Sequence, residues 1–244
     1  MMKASLPDGP KTPLVSIITV VYNACEDLKA VLESVFPHRC EEVELIVVDG
    51  GSNDGTVTYL MEQSSQIDFW MSEPDRGIYD AMNKAISHSR GTYLLHLNAG
   101  DRLLHIPLAE LREGAANDLD ILAFRVALDD GKDFTPAYGS GLAITNTLHH
   151  QGTFFRKAAF PGYASRFKIF ADFDVNQRMA LAGSKARIYP LVIAHHATDG
   201  ISNQNNAKAA AEFFQVIRGN HGWKVLPAAW LLCKWQGLRR RLGL

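Results

Sequence analysis

Two aspartates and a tyrosine stand where apolar runs of strand length end, and such positions can bind a nucleotide or a metal ion. Asp101 closes residues 92–101 (TYLLHLNAGD), Asp49 follows the run VELIVV, and Tyr22 follows LVSIITVV. Open α/β sheets bind their ligands just past the carboxyl ends of the strands. Carboxylate oxygens suit hard divalent cations. We therefore predict Mg²⁺ or Mn²⁺ at Asp101.

The apolar runs in front of these residues are predicted strands. They cover residues 14–21, 43–48, 69–71 and 92–97. The first two are nearly continuous and rich in β-branched residues, as in parallel strands that are buried on both faces. Turn-forming residues follow the strands and mark loops.

Helices are predicted between these strands. The first begins at Glu26, ends before Pro37, and has apolar residues at helical spacing: Leu28, Val31, Leu32, Val35 and Phe36. A second helix reaches about Gln63, and a third opens at Asp75 and Gly77. Its inward residues are Ile78, Met82, Ala85 and Ile86. This alternation favours a parallel sheet with right-handed crossovers.

In a parallel sheet, loops that follow the strands open on one edge. Tyr22, Asp49 and Asp101 should therefore converge on one crevice. Asp and Asn in such loops are also common turn formers and helix caps, which leaves a structural role open for each residue alone.

The composition limits the class of protein. The chain has 244 residues, a formal net charge of −1, 47% hydrophobic and 21% charged residues, which is typical of a soluble globular protein. The near-zero charge argues against a nucleic-acid partner. Three widely spaced cysteines indicate reduced thiols in the cytoplasm. Residues 1–13 are polar and proline-rich, and we interpret them as a flexible leader.

Nucleotide-binding motifs of the common kinds are missing from the sequence. It contains neither GxxxxGK followed by Ser or Thr nor GxGxxG after the first strand. A bound diphosphate would therefore need another source of positive charge, and a carboxylate-held divalent cation supplies it. This again favours a metal ion at Asp101.

Four blocks of sequence resemble the family 2 glycosyltransferases of the GT-A fold, especially bacterial enzymes of exopolysaccharide and colanic-acid assembly. The blocks are PLVSIITVVYNACEDLKAVLESV, ELIVVDGGSNDGT, EPDRGIYDAMNKAI and GTYLLHLNAGDRL, within residues 14–104. HHQGTFF at 149–155, ADFDVNQRMA at 171–180 and DGISN near 199 match more thinly. The resemblance implies a GT-A-like (Rossmann-like) α/β fold, with a mostly parallel sheet flanked by helices and a C-terminal helical extension.

The resemblance also implies a division of the chain and a set of donor contacts. Residues 14–104 would bind the nucleotide-sugar, 105–205 would form the acceptor side, and 206–244 would be a helical, basic and aromatic tail. The implied donor-binding residues are Tyr22, Asn23, Asp49, Arg76, Asn83, Asn98 and Asp101. Asp101 matches the acid that touches the metal ion, but Asn98 and Gly100 stand where other members often have acids. A metal-independent variant is therefore an open alternative.

The second half supplies the implied catalytic base. Asp172 in ADFD matches the family's base. The chemistry agrees with this role, because inverting transfer needs a carboxylate to take the proton of the acceptor hydroxyl. Asp174 is the competing candidate, and both could instead belong to a helix start. His150, Gln151 and Asp174 are predicted acceptor-side residues. His195 and His196 could approach the metal ion or diphosphate, although we favour a packing role.

The tail differs from the rest of the chain. Residues 223–244 carry three of the four tryptophans and the cluster RRR at 239–241, and their apolar run is too short to span a bilayer. This composition is typical of a segment on an anionic membrane surface. A helix packed on the catalytic domain is the alternative.

These features predict an inverting glycosyltransferase that uses a nucleotide-sugar, with UDP-sugars favoured. The acceptor would be a saccharide or lipid-linked saccharide in surface-polysaccharide assembly, and the enzyme would be cytoplasmic with peripheral contact to the inner face of the membrane. The alternatives are a catalytically inactive sugar- or nucleotide-binding protein and a nucleotidyltransferase.

Overall fold

The computed structural model describes residues 12–196 and 207–242, with side chains up to residue 235. The predicted leader, residues 1–13, lies almost entirely outside the described residues. The DGISN segment near residue 199 lies outside them as well.

The first half alternates strands and helices as the apolar pattern predicts. The strands are β1 (Val15–Val21), β2 (Val43–Asp49), β3 (Phe69–Ser72) and β4 (Tyr93–His96). The helices are α1 (Cys25–Val35), α2 (Thr56–Glu62) and α3 (Ile78–His88). β1 pairs in parallel with β2 and β4, and β2 pairs in parallel with β3. The loops after these strands therefore share one sheet edge.

The second half extends the same sheet. It contributes β5 (Arg102–Leu103), α4 (Leu108–Ala116), β6 (Ile121–Leu128), β7 (Asp133–Phe134), β8 (Thr153–Arg156), α5 (Ala171–Leu181) and β9 (Ala186–His196). The strand order is β3-β2-β1-β4-β8-β6-β9-β5, and β7 pairs with β6. β8 is antiparallel to β4 and β6, and β9 is parallel to β6 but antiparallel to β5. The predicted α/β class is confirmed, with a mixed second half.

Apolar side chains fill both faces of the sheet. Ile17 and Leu45 pack with α1, α2 and α4 on one face, and Ile18 and Ile46 pack with α3, α5 and a C-terminal helix on the other. Full burial of one such side chain contributes about 1.5–3 kcal/mol. The two layers thus hold the strand ends, and the loops that follow them, in fixed positions.

Two C-terminal helices form the predicted helical extension. Helix α6 (Ala207–His221) packs on α5, where the rings of Phe213 and Phe173 stack 5.2 Å apart. Helix α7 (Leu226–Leu242) buries Ala229, whereas Trp230 is 52% and Trp235 55% exposed. Among the residues described, no helix combines the length and apolar character that crossing a membrane requires.

Candidate functional site

A buried carboxylate joins three elements beyond the end of β4. Asp101 Oδ2 accepts hydrogen bonds from the backbone N–H of Asn98 (2.8 Å) and from Nε2 of Gln151 (2.9 Å). Asp101 Oδ1 lies 2.7 Å from Nδ1 of His196, the last residue of β9. The predicted metal residue and the predicted acceptor-side Gln151 therefore lie together, and His196 joins them.

Local backbone features explain how these side chains meet. Strand β5 follows Asp101 directly and pairs with β9, which aligns Arg102 with His195. Gly152 lies against β6, since a Cβ there would be 2.5 Å from Cγ2 of Val126 and 2.6 Å from a backbone oxygen. Only glycine lets the turn 150–152 approach β6 this closely.

A second carboxylate lies in the first turn of α5. Asp172 Oδ2 accepts a hydrogen bond from Nδ2 of Asn146 (2.9 Å) and lies 3.6 Å from Nδ1 of His150, while the Tyr79 hydroxyl lies 3.4 Å from Oδ1. Burial alone raises the pKa of this carboxyl. The hydrogen bond and charge of His150, with the N–H of Phe173, outweigh burial and lower the pKa below its usual value. The carboxylate is therefore ionised at neutral pH.

Histidines connect the two carboxylates. His150 Nε2 lies 3.2 Å from Nδ2 of Asn98, so one imidazole stands between Asp172 and the loop that ends β4. The ring of His149 packs 5.7 Å from that of His150 and 4.8 Å from that of His196. Burial, followed by the charges of these two neighbours, lowers the pKa of His149 to about 3, so this ring is neutral.

Asp174 faces away from this cluster. Its carboxylate accepts hydrogen bonds from Nε of Arg178 (2.8 Å) and from Nδ2 of Asn220 on α6 (3.1 Å), and its side chain is almost fully buried. Since Asp172 faces His150 instead, the two candidate bases have different surroundings. Asp174 ties α5 to α6.

The loop after β2 is organised by Asp49. This carboxylate is fully buried and accepts hydrogen bonds from the N–H groups of Gly51 (3.2 Å) and Ser52 (3.0 Å), and from the hydroxyls of Ser72 (2.6 Å) and Ser52. Asp49, which is a predicted contact of the nucleotide-sugar, therefore fixes the shape of the loop after β2 through its own hydrogen bonds.

The loop after β1 contacts the same edge. Asn23 has φ 49° and accepts a hydrogen bond from the N–H of Asn53 (3.0 Å). Tyr22 is 64% exposed and lies beside Gly50, where a Cβ would be 3.2 Å from Cδ2 of Tyr22 and 2.5 Å from Oδ2 of Asp75. An exposed aromatic ring, a glycine and a carboxylate thus adjoin one another at this edge.

The two remaining predicted donor residues lie on and before α3. Arg76 is exposed and pairs with Asp80 (3.3 Å). Asn83 exchanges two hydrogen bonds with the backbone of Tyr163, at 2.8 and 2.9 Å, so its amide links α3 to the second half of the chain. A pocket of about 320 Å³ lies next to Arg76. Its lining includes Ile78, Tyr79, Phe167, Lys168 and Ile169.

The family profile described as Glycosyl transferase family 2 matches residues 16–173 of this chain. The chain is a family 2 glycosyltransferase. The match runs from β1 through Asp101 to Asp172, and therefore includes both carboxylates that the geometry brings together. The predicted family and the predicted transferase class are confirmed.

Two curated relatives of this glycosyltransferase come from mycobacteria. An uncharacterised glycosyltransferase of Mycobacterium tuberculosis is 32% identical over 210 residues, which cover 81% of this chain and 80% of the relative. A PGL/p-HBAD biosynthesis glycosyltransferase of Mycobacterium bovis is 30% identical over 180 residues, covering 68% and 69% of the two chains.

Solved structures share the fold of this glycosyltransferase. S. aureus TarS 1–349 in complex with UDP has a TM-score of 0.65 at 13% identity, and the match covers 84% of this chain and 64% of that one. Mannosyltransferase PcManGT from Pyrobaculum calidifontis, in complex with GDP-Man and Mn²⁺, has a TM-score of 0.63 at 17% identity, covering 87% and 67%. The predicted GT-A fold is confirmed.

The donor atoms around Asp101 determine whether a metal ion fits there. Within the described part of this glycosyltransferase, no group of three or more His, Cys, Asp or Glu side chains is arranged to hold a metal ion. Asp101 and His196 nevertheless form a pair with one oxygen and one nitrogen donor, and Oε1 of Gln151 is buried with no hydrogen-bond partner among the described residues. These ligand types suit a divalent cation, which would replace the hydrogen bond between Asp101 and His196 and take its remaining ligands from a diphosphate and water.

Sequence reasoning missed several residues of the site. Tyr79 and Asn146 both contact Asp172, and neither has a local sequence signal beyond its residue type. Asp75 was interpreted only as the opening of a helix. The favoured packing role of His196 differs from its observed contact with Asp101, and the HH pair at the end of a strand was the available signal.

Proposed function

We propose that this glycosyltransferase moves a sugar, with inversion, from a nucleoside-diphosphate sugar to a hydroxyl of a saccharide acceptor. The observation that carries the proposal is the juxtaposition of two buried or half-buried carboxylates, Asp101 and Asp172, on either side of His150 and Asn98. Asp101 would hold a metal ion at the leaving diphosphate, and Asp172 would accept the proton of the incoming hydroxyl.

Asp172 is proposed as the general base. Inverting transfer requires a base on the acceptor side of the sugar, opposite to the departing nucleotide. The lowered pKa of Asp172 keeps the carboxylate ready to accept a proton at neutral pH, and 16% of its side chain remains exposed to an acceptor. His150, Asn146 and Tyr79 would hold its orientation.

Asp101 and His196 are proposed to hold Mg²⁺ or Mn²⁺. A divalent cation bound there would neutralise the charge that develops on the leaving diphosphate. The buried Oε1 of Gln151, which has no hydrogen-bond partner among the described residues, would supply a further oxygen ligand. Since only two ionisable side chains take part, we expect metal affinity to depend on a bound nucleotide.

The donor is proposed to lie along the edge formed by Tyr22, Asn23 and the loop that Asp49 organises. An exposed aromatic ring such as Tyr22 offers a stacking surface for a nucleobase. UDP-sugars are favoured because the TarS structure contains UDP, and GDP-sugars are the competing class because PcManGT contains GDP-Man.

The acceptor is proposed to be a saccharide or lipid-linked saccharide of surface-polysaccharide assembly, used at the inner face of the cell membrane. The exposed tryptophans of α7 support an acceptor near lipid. Residues 223–244 would provide peripheral contact to the membrane, and the enzyme would otherwise be cytoplasmic.

A panel of nucleotide-sugars tests this proposal. We expect one sugar nucleotide to raise the unfolding temperature in the presence of Mn²⁺ and to be consumed when mono- or oligosaccharides are added. Binding without consumption of any donor would favour the inactive sugar-binding protein. Release of pyrophosphate from a nucleoside triphosphate and a sugar phosphate would favour the nucleotidyltransferase.

A further inference from the structure

The backbone just before α5 is bound by a carboxylate from another helix. Oε1 of Glu212 on α6 accepts hydrogen bonds from three successive N–H groups, those of Lys168 (3.0 Å), Ile169 (2.7 Å) and Phe170 (2.7 Å). Phe170 is the N-cap residue of α5, and its side chain makes no capping hydrogen bond. Glu212 therefore binds the N–H group of the N-cap residue and the two N–H groups that precede it.

The hydrogen bonds to Glu212 are stronger than those between two neutral backbone groups. A carboxylate that accepts N–H groups forms charge-assisted hydrogen bonds. A negative charge at the N-terminus of a helix also interacts favourably with the helix dipole. Since Asp172 lies two residues after Phe170, Glu212 binds the backbone immediately in front of the proposed base.

The carbonyl side of the same segment is bound by Tyr79. Its hydroxyl donates to the backbone oxygen of Ile169 (2.7 Å) and approaches Oδ1 of Asp172 (3.4 Å). Burial raises the pKa of Tyr79 well above its usual value, so the hydroxyl stays a donor. Residues 168–170 are thus fixed between α6 and α3, next to the pocket that Lys168 and Ile169 line.

We propose that Glu212 is a positioning residue, which holds Asp172 in place for proton transfer by fixing residues 168–170. The role rests on the proposed function of Asp172 as the base. Loss of Glu212 would free the N–H groups of residues 168–170, directly before α5, and let the first turn of the helix shift relative to Asn146 and His150. A misplacement of about 1 Å can cost on the order of 100-fold in rate.

Glu212→Ala is the test variant, and Asn220→Ala is its control on the same helix. Asn220 donates to Asp174 and Gln177 of α5 but does not touch the backbone before the helix. We expect Glu212→Ala to lower kcat for transfer by about 10- to 100-fold, with an unchanged Kd for the nucleotide. Glu212→Gln keeps an accepting oxygen and should recover part of the rate.

Asn220→Ala should reduce the unfolding temperature without this loss of kcat. If the two alanine variants lose kcat equally at matched stability, Glu212 is only a structural residue and the inference is wrong.

A double-mutant cycle with Asp172→Asn separates this inference from the proposed function. If Glu212 acts through Asp172, adding Glu212→Ala to Asp172→Asn should cause almost no further loss of transfer. Full additivity of the two losses would overturn the positioning role. If Asp172→Asn leaves transfer unchanged, the proposed base itself fails, whatever the result at Glu212.

Discussion

Asp172 and Asp174 are separated by one residue, and their carboxylates have different partners. Asp172 contacts His150 and Asn146 and keeps part of its side chain exposed, whereas Asp174 is buried against Arg178 and Asn220. On a helix, residues two positions apart point in different directions. Because their surroundings differ, we expect substitution of Asp172 to reduce transfer activity and substitution of Asp174 to reduce stability.

Asp172→Asn should remove transfer while preserving donor binding. General-base catalysis is typically worth about 10²- to 10⁴-fold, and the near-isosteric amide retains the shape of the side chain. Asp174→Asn should instead lower the free energy of unfolding by about 1–3 kcal/mol, because it weakens buried hydrogen bonds to a charged partner. Turnover per folded molecule and urea unfolding of both variants measure these effects. Loss of turnover in Asp174→Asn alone would identify Asp174 as the base.

Asp101→Asn should abolish most transfer and weaken the binding of Mn²⁺ in the presence of a nucleoside diphosphate. The amide removes the charge that would hold the cation and replaces one accepting oxygen with a donor group. Mn²⁺ electron paramagnetic resonance measures binding without relying on activity. His196→Gln should weaken Mn²⁺ as well, whereas the control His195→Gln should not, because His195 pairs with Asp129 instead. Equal Mn²⁺ binding by all variants would exclude this metal site.

At the scale of elements, the apolar runs predicted the first half of the fold closely. β1 was predicted at 14–21 and is Val15–Val21, and β2 was predicted at 43–48 and is Val43–Asp49. These strands are buried on both faces and therefore have a continuous apolar signal. The convergence of the strand-end loops followed from parallel pairing alone.

The tertiary contacts that complete the site could not be predicted from the apolar pattern of the sequence. His196 reaches Asp101 because β9 pairs with β5, and β5 has only two residues, too few to show an alternating pattern. Asp172 reaches His150 across a tertiary contact between residues 22 positions apart in sequence. Residue types suggested these candidates, but only the tertiary pairing determined which side chains meet.

Strand β4 carries a buried histidine that should make stability depend on pH. His96 is fully buried, and both its ring nitrogens lack a hydrogen-bond partner among the described residues. Burial, followed by the charge of His150, lowers the pKa of His96 from 6.5 to about 3. The unfolded chain therefore binds this proton below about pH 6.5, while the folded chain binds it only near pH 3. The stability that this group confers is complete above pH 6.5 and falls as the pH drops towards 3.

His96→Leu should weaken this pH dependence. Between pH 6.5 and 4.5, removal of one proton-binding difference should reduce the slope of the unfolding free energy by up to about 1.4 kcal/mol per pH unit. Urea unfolding at several pH values measures the slope. His105→Gln is the control, because His105 is an exposed histidine whereas His96 is fully buried. His149, which has a similarly lowered pKa, should preserve part of the dependence in His96→Leu. An unchanged slope in His96→Leu would contradict the assignment.

At the scale of the whole molecule, charge is distributed unevenly. The chain has a formal net charge of −1, yet residues 213–244 contain no Asp or Glu and carry Arg218, Lys224, Lys234 and the arginines 239–241. The same region contains exposed Trp223 (73%), Trp230, Leu231 and Trp235. Apolar and cationic groups on one segment are typical of a surface that binds anionic lipid. The proposed membrane contact would therefore depend on the tail and not on the net charge of the protein.

The combined variant Trp230→Ser and Trp235→Ser should lose binding to vesicles that contain anionic phosphatidylglycerol. The wild type should co-sediment with these vesicles, bind pure phosphatidylcholine vesicles weakly, and dissociate as salt screens the charges. Lys234→Gln should weaken binding by about 1 kcal/mol, roughly fivefold. Met61→Ser, at an exposed apolar residue of α2, is the matched control and should bind as the wild type does. A concentration-dependent dimer that the tryptophan variant abolishes, without vesicle binding by the wild type, would show that this face pairs with a second copy of the chain.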